Sequence, residues 1–263
     1  MLVFVIPLKS RAASRSWSTV SALFERTLKS VCRQTASNFK DVVVCHEKQA
    51  IEFAHENVEY SVVAFPLPDI IGDPTEDRLR KETDHAKKLW VGSVYAESIA
   101  PTHVMHVDAD DCISRNLAAY VNENSQHNGW YVDKGFEYQD SGKTIYPKSK
   151  FYTKCGTSNI VRYDLIKPLF STPLDRVSAR DDSAFFMRHK LQRGYFDSIG
   201  SPLSPLPFPG AVYITGHGDN NYLEYFANKK KTLLDLGRLY GGKFRKRMVA
   251  RQVTEELQVE FGL

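Results

Sequence analysis

The sequence lacks the features that would mark several broad classes of protein. It has no apolar stretch near the ~20 residues that a membrane-spanning helix requires, and it has no internal repeat or low-complexity tract. Its four cysteines, Cys32, Cys45, Cys112 and Cys155, stand far apart with no CxxC or Cys/His spacing. That excludes a zinc knuckle or disulfide framework and leaves reduced, mostly buried thiols as the expectation. Cys112 follows an acidic cluster, but nothing beside it would activate a nucleophile. Residues 2–8 are apolar yet too short for a signal peptide, lack a preceding basic region and contain Pro7, so they read as a first strand. The expected compartment is the cytoplasm.

What is present is an ordinary globular composition: 263 residues, 42% hydrophobic and 25% charged, enough for one substantial core. The net charge of +4 is unevenly spread. Residues 229–251 hold nine basic side chains against the single acid Asp235, a net +8 that leaves −4 on the remainder. Leu233, Leu234, Leu236, Leu239, Tyr240 and Phe244 lie among those charges, interrupted by Gly237 and the Gly241–Gly242 pair. A solvated helical face is the simpler reading; peripheral contact with an anionic membrane is the functional one, and nucleic acid is not expected.

Short apolar runs alternate with helical periodicity. Residues 2–8, 39–45 and 58–65 read as buried strands, with a helix capped by Ser18 carrying Val20, Leu23, Phe24, Leu28 and Val31 on one stripe. A Pro/Gly/Asp loop leads into a helix over about 75–99, for which Leu79, Ala86, Leu89, Trp90, Val94 and Tyr95 are the inward candidates. This predicts an α/β fold with a mostly parallel central sheet flanked by helices. From Asn128 the texture changes to a smaller antiparallel part. Residues 130–138 and 144–152 read as strands about an Asp140–Lys143 turn, 155–162 as another strand, 180–193 as a helix, 211–215 as a last strand, and 220 onward as helix.

The informative segment is Val104-Met105-His106-Val107-Asp108-Ala109-Asp110-Asp111, a strand-like run ending in three carboxylates. Acids there fall at the C-terminal end of a strand, where open α/β sheets bind ligands. Asp108 and Asp110, two apart, point to one side of extended chain, and Mg²⁺ or Mn²⁺ favours such oxygen ligands shared with phosphates. An isolated DxD is more often a plain strand end, or a cap for a helix from Ile113.

With these elements in order the sequence resembles GT-A fold glycosyltransferases of the large family-2-like group, over roughly residues 2–221. Val5-Ile6-Pro7 and the helix ending Leu28-Lys29-Ser30-Val31-Cys32-Arg33-Gln34-Thr35 look like the family's first strand and helix. Val107-Asp108-Ala109-Asp110-Asp111 matches its "DaDD" segment. Asp181-Asp182 with Arg188 and Gly194 follows its "ED..l..R.....G" spacing, Asp181 standing where Glu is usual, and His217 sits where many such enzymes place a late histidine near the metal.

The resemblance implies a nucleotide-diphosphate-sugar transferase. It would be divided into a catalytic domain, 1–221, with a nucleotide-binding half (1–127) and an acceptor half (128–221), and a basic helical extension, 222–263. It implies a Mn²⁺ or Mg²⁺ ion on Asp108, Asp110 and His217, with Asp110 the direct ligand and Asp108 reaching ribose or metal-bound water, and with Asp111 orienting or capping. Asp182 would be the base, beside Asp181, activating an acceptor hydroxyl for single displacement with inversion. Pro7, Glu47 and Lys81 would contact the donor: Glu47 stands where the family usually has an aspartate, and Arg80 or Lys81 where a cation faces the diphosphate. Trp130, Tyr131, Phe136 and Tyr138 are candidate acceptor platforms, although core packing suits each better. Partners would be the nucleotide sugar and a saccharide or glycoconjugate acceptor, in polysaccharide biosynthesis.

Two other readings compete. A haloacid-dehalogenase-type Mg²⁺-dependent phosphatase also uses a strand-end DxD and a later acidic pair, but needs its nucleophile on an early strand with Thr or Val where Cys112 stands. A non-catalytic sugar-nucleotide-binding protein would have no need of both the acid cluster and the presumed base.

Overall fold

Residues 2–6 are too apolar to leave either face of a strand in water, and both are covered. In the computed structural model, which describes residues 1–218 and 249–263, β1 (Leu2–Pro7) is buried throughout. Leu2, Phe4 and Ile6 enter one core with Val20, Phe24 and Leu28; Val3 and Val5 enter another with Ala86 and Leu89. This is the two-sided burial expected of a central parallel strand. β2 (Phe39–Cys45) and β3 (Val58–Val62) follow in parallel on one side of β1, and β4 (His103–His106) on the other. β9 (Asn159–Arg162), β6 (Gly129–Tyr131) and β10 (Ser204–Pro205) extend the sheet to seven strands in the order β10-β6-β9-β4-β1-β2-β3, with β9 antiparallel to both neighbours.

Helix α1 (Trp17–Val31) buries the predicted stripe, but Ser16 is its cap, accepting from the Thr19 amide at 3.3 Å. Helix α2 (Pro74–Ala96) starts with Pro74 in its first turn and Asp73 accepting from the Thr75 and Glu76 amides. A Cβ at Gly92 would meet Val5 Cγ1 at 2.4 Å and Val44 Cγ2 at 2.8 Å, so glycine lets α2 lie tight on β1 and β2. The buried stripe is Asp84, Ala86, Lys88, Leu89, Gly92, Ser93 and Ala96, whereas Val94 and Tyr95, expected inward, face solvent. A stripe that carries a charged pair is misread by hydropathy.

A second, five-stranded sheet packs beside the first, in the order β12 (Arg251–Gln252), β8 (Thr144–Ser149), β7 (Lys134–Gln139), β11 (Ala211–Thr215), β5 (Cys112–Ile113). Residues 130–138, expected as one strand, divide between the sheets: β6 ends at Tyr131, and β7 (Lys134–Gln139) begins the second sheet, forming the expected hairpin with β8 (Thr144–Ser149). β5 (Cys112–Ile113), not a helix, follows the acidic segment and pairs with β11 (Ala211–Thr215); α3 (Leu117–Glu123) begins only later. The stretch 180–193 is a 3-10 turn, Asp182–Met187, kinked at Ala184, followed by α5 (His189–Ser198), α4 being the short Tyr163–Ile166.

Residues 251–263, which the sequence assigns to a basic extension, join the second sheet. β12 (Arg251–Gln252) pairs with β8, and α6 (Glu255–Phe261) sets Phe261 against Phe136. Glu260 accepts from Ser114 and Asn116, and Ser30 Oγ donates to the Phe261 carbonyl at 2.6 Å. The remaining basic segment with its leucines, and the helix expected from 220, lie outside the described residues. No described helix is long and apolar enough to cross a membrane.

One pH effect follows from the core. His103, fully buried on β4, donates through Nε2 to the His127 carbonyl (2.9 Å) and packs on Trp130. Burial pushes its pKa down from 6.5 to about 4. Between those values the unfolded chain binds the extra proton, so the neutral-ring advantage is complete above about pH 6.5 and is lost progressively toward pH 4. Asp41, raised by burial to about 7, acts in the opposite sense, so only a difference between variants isolates the histidine. His103→Gln should flatten the acid loss of stability by up to about 3 kcal/mol in urea titrations from pH 7 to 4; an unchanged slope would contradict the assignment.

Candidate active site

The three acids occupy the seam between the sheets. β4 ends at His106 in the first sheet and β5 begins at Cys112 in the second, with a tight turn between them closed by the Asp111 amide on the Asp108 carbonyl at 3.1 Å. Asp111 is fully buried: it accepts from Thr157 Oγ1 (2.6 Å), Cys155 Sγ (2.9 Å) and the Ile214 amide (3.2 Å), tying the turn to β11. Burial and the neighbouring Asp110 and Asp108 raise its pKa well above the ordinary carboxylate value, and burial likewise raises the Cys155 thiol. Asp111 therefore anchors the turn in the core. The described thiols are all free and buried, and burial pushes Cys112 to about 12, which removes it as a nucleophile.

Asp108 and Asp110 keep side chains about a third and a quarter exposed. Asp110 Oδ2 lies 3.2 Å from His217 Nε2, whose ring is buried. The loop holding His217 is made by Gly216 and Gly218, at φ +88° and +80°, a region that disfavours side-chain-bearing residues. Thus a residue over a hundred positions away in the sequence meets the acid segment. His85 Nε2, on α2, lies 3.6 Å from Asp108 Oδ1. Gly156 sits behind Asp108, where a Cβ would come within 2.7 Å of Oδ2. Burial and Asp110 push Asp108 up to about 7, a value for the acid without a cation beside it.

Carboxylate oxygens and an imidazole are donor types that suit Mn²⁺ or Mg²⁺, and the Asp110–His217 pair beside Asp108 supplies them. The described ligand atoms that already lie within 4.8 Å of one another are instead those of Asp108, Asp111 and Cys155. Asp111 is already committed to three donors, so it is the poorer ligand.

Sequence reading overlooked a buried ionic group at the same sheet edge. Asp84 accepts from Lys88 Nζ (2.6 Å) and contacts His46 Nε2 (2.6 Å), while Lys88 also donates to the Leu8 carbonyl just beyond Pro7 (2.8 Å). Burial disfavours charge on Asp84, yet hydrogen bonds from His46 and Lys88 hold its pKa below the ordinary value; burial lowers Lys88 despite Asp84. The group clamps the ends of β1 and β2 to α2. The i,i+4 spacing of Asp84 and Lys88 was the only available signal.

The other expected residues are more dispersed. Glu47 is near the surface and accepts from the Arg11 amide at 2.7 Å. Arg80 pairs with Asp69 rather than facing the acids, and Lys81 is half-buried on α2. Asp181 caps the 3-10 turn through the Ser183 amide, which lowers its pKa. Asp182 is 88% exposed and paired with Arg188 at 2.7 Å. Trp130 and Phe136 are core residues, which removes them as acceptor platforms, and Tyr131 is also buried.

Neither a protein-family model nor a curated protein matches the chain. Solved structures do. S. aureus TarS 1-349 in complex with UDP superposes with a TM-score of 0.50 at 17% identity, over 81% of this chain and 60% of that one. A second structure of S. aureus TarS gives a TM-score of 0.50 at 15% identity, over 85% of this chain and 38% of that one. The chain thus spans three fifths of the first TarS structure and less of the second. At such identity the likeness is one of fold: a mixed α/β glycosyltransferase fold with a mostly parallel central sheet flanked by helices.

Proposed function

We propose that the chain is a divalent-metal-dependent glycosyltransferase, family-2-like, that moves a sugar from a nucleotide diphosphate to an acceptor hydroxyl with inversion. The observation that carries the reading is the pairing of Asp110 with His217, beside Asp108, at the end of β4 in a fold shared with a UDP-bound protein. Asp108, Asp110 and His217 would hold Mn²⁺ or Mg²⁺, whose charge would offset that developing on the leaving diphosphate. Asp111 fixes the turn that presents the first two. The Asp84–Lys88–His46 group holds the strand ends where Pro7 and Glu47 would meet the donor. Asp182 would take the acceptor proton once the acceptor displaces Arg188 from it. The acceptor is a saccharide or glycoconjugate, and peripheral membrane contact falls to the basic segment.

Asp182→Asn tests the catalytic half of this reading. With UDP-glucose, UDP-galactose and GDP-mannose as donors and Mn²⁺ present, kcat should fall by about 10²–10⁴-fold while donor KM changes little. An unchanged kcat and pH profile would remove Asp182 from the chemistry.

A further inference from the structure

Behind Asp108 lies a small cavity walled by His85, His106, Asn159, Phe186, Met187 and His189, with about 30 Å³ of room. That admits one or two water-sized groups and no sugar ring. Its polar atoms are unevenly satisfied. Asn159, 7% exposed, donates through Nδ2 to the His189 carbonyl at 3.1 Å, leaving Oδ1 buried without a partner. His189 Nε2 is likewise buried and unpartnered. Burial lowers the His189 pKa to about 4, so the ring is neutral, and its tautomer protonated at Nδ1 offers the Nε2 lone pair to the cavity. Two unused acceptors beside a carboxylate call for donors.

A single cation is the poorer occupant. The cavity lining brings a single carboxylate, Asp108, to His85 and His189, and no second acid to balance the charge of a divalent ion there. Hydroxyl groups supply the neutral donors that these two acceptors lack, and Phe186 and Met187 suit the C–H surface that accompanies them. We propose that this cavity reads a neutral hydroxyl edge of the transferred sugar, with Asn159 Oδ1 and His189 Nε2 accepting from its hydroxyls. The inference rests on the sugar-transfer reading and adds two specificity-determining residues to it.

Calorimetric titration of the full chain with Mn²⁺ separates the two. UDP, GDP, UDP-glucose, UDP-galactose, GDP-mannose and the monodeoxyfluoro analogues of the sugars are compared, fluorine removing one donor at a time. A hydroxyl read by the cavity should cost about tenfold in affinity when fluorinated. That penalty should vanish in Asn159→Leu or His189→Leu and return in His189→Gln, with affinity for the bare nucleotide unchanged throughout. Fluorination without penalty in the wild-type chain, or an equal penalty in all variants, would overturn the inference while leaving nucleotide binding intact. Failure of every nucleotide to bind would overturn both.

Discussion

Asp110→Ala should lower kcat/KM by about 10³-fold or more at saturating Mn²⁺, because several kcal/mol of leaving-group stabilisation depend on the cation it would hold. The variant should fold normally. Asp110 is partly exposed and contacts His217, whereas the structural anchoring of the turn belongs to Asp111, with its three buried donors. Asp111→Ala, by contrast, strands Thr157, Cys155 and the Ile214 amide and should reduce stability first. Comparing kcat/KM with the urea midpoint for each variant distinguishes the two roles. Equal loss of stability in both would contradict the division.

Lys88→Met should be the most destabilising of the variants considered, by about 3–5 kcal/mol, since it leaves Asp84 buried with only His46 beside it. The Lys88 and Asp84 side chains are 1% and 8% exposed, so water cannot take over the lost interaction. The loss should also free the Leu8 carbonyl and loosen the loop after β1. Asp84→Leu combined with Lys88→Met should recover much of the stability, because a well-packed apolar pair has no charge left to solvate. Donor binding should stay impaired in that double variant, since His46 then lacks its anchor. Full recovery of both properties would show that the group only fills space.

The two-sided burial of β1 was legible because its apolar run is continuous and leaves no polar face. The acidic turn was legible through its company, since a DxD alone is more often a plain strand end and the first strand, first helix and later Asp181-Asp182 spacing gave it context. The face of α2 was not, since its inward stripe includes Asp84 and Lys88, which hydropathy counts as surface. Nor was the break at residues 132–133, where the strand changes sheets without a proline or glycine to mark it. Residues 180–193 satisfy helical periodicity, yet the buried Ala184 and Phe186 are reached through a kinked 3-10 turn. His217 was found by its position after the last strand of the resemblance. His85, Asn159 and His189 were not, because only the folded chain brings them to Asp108.

If Asp108 and Asp110 hold a cation that in turn holds a nucleotide diphosphate, nucleotide should stabilise the fold only with metal present. The thermal midpoint of the full chain with UDP, GDP or dTDP, with and without Mn²⁺, in wild type and Asp110→Ala, tests this. At a nucleotide concentration a hundredfold above Kd, binding adds about 2.7 kcal/mol of stability. The midpoint should rise with one nucleotide, require Mn²⁺ and return to the unliganded value in Asp110→Ala. A rise that is indifferent to Mn²⁺ and to Asp110, or stabilisation by beryllofluoride with none by any nucleotide, would contradict it.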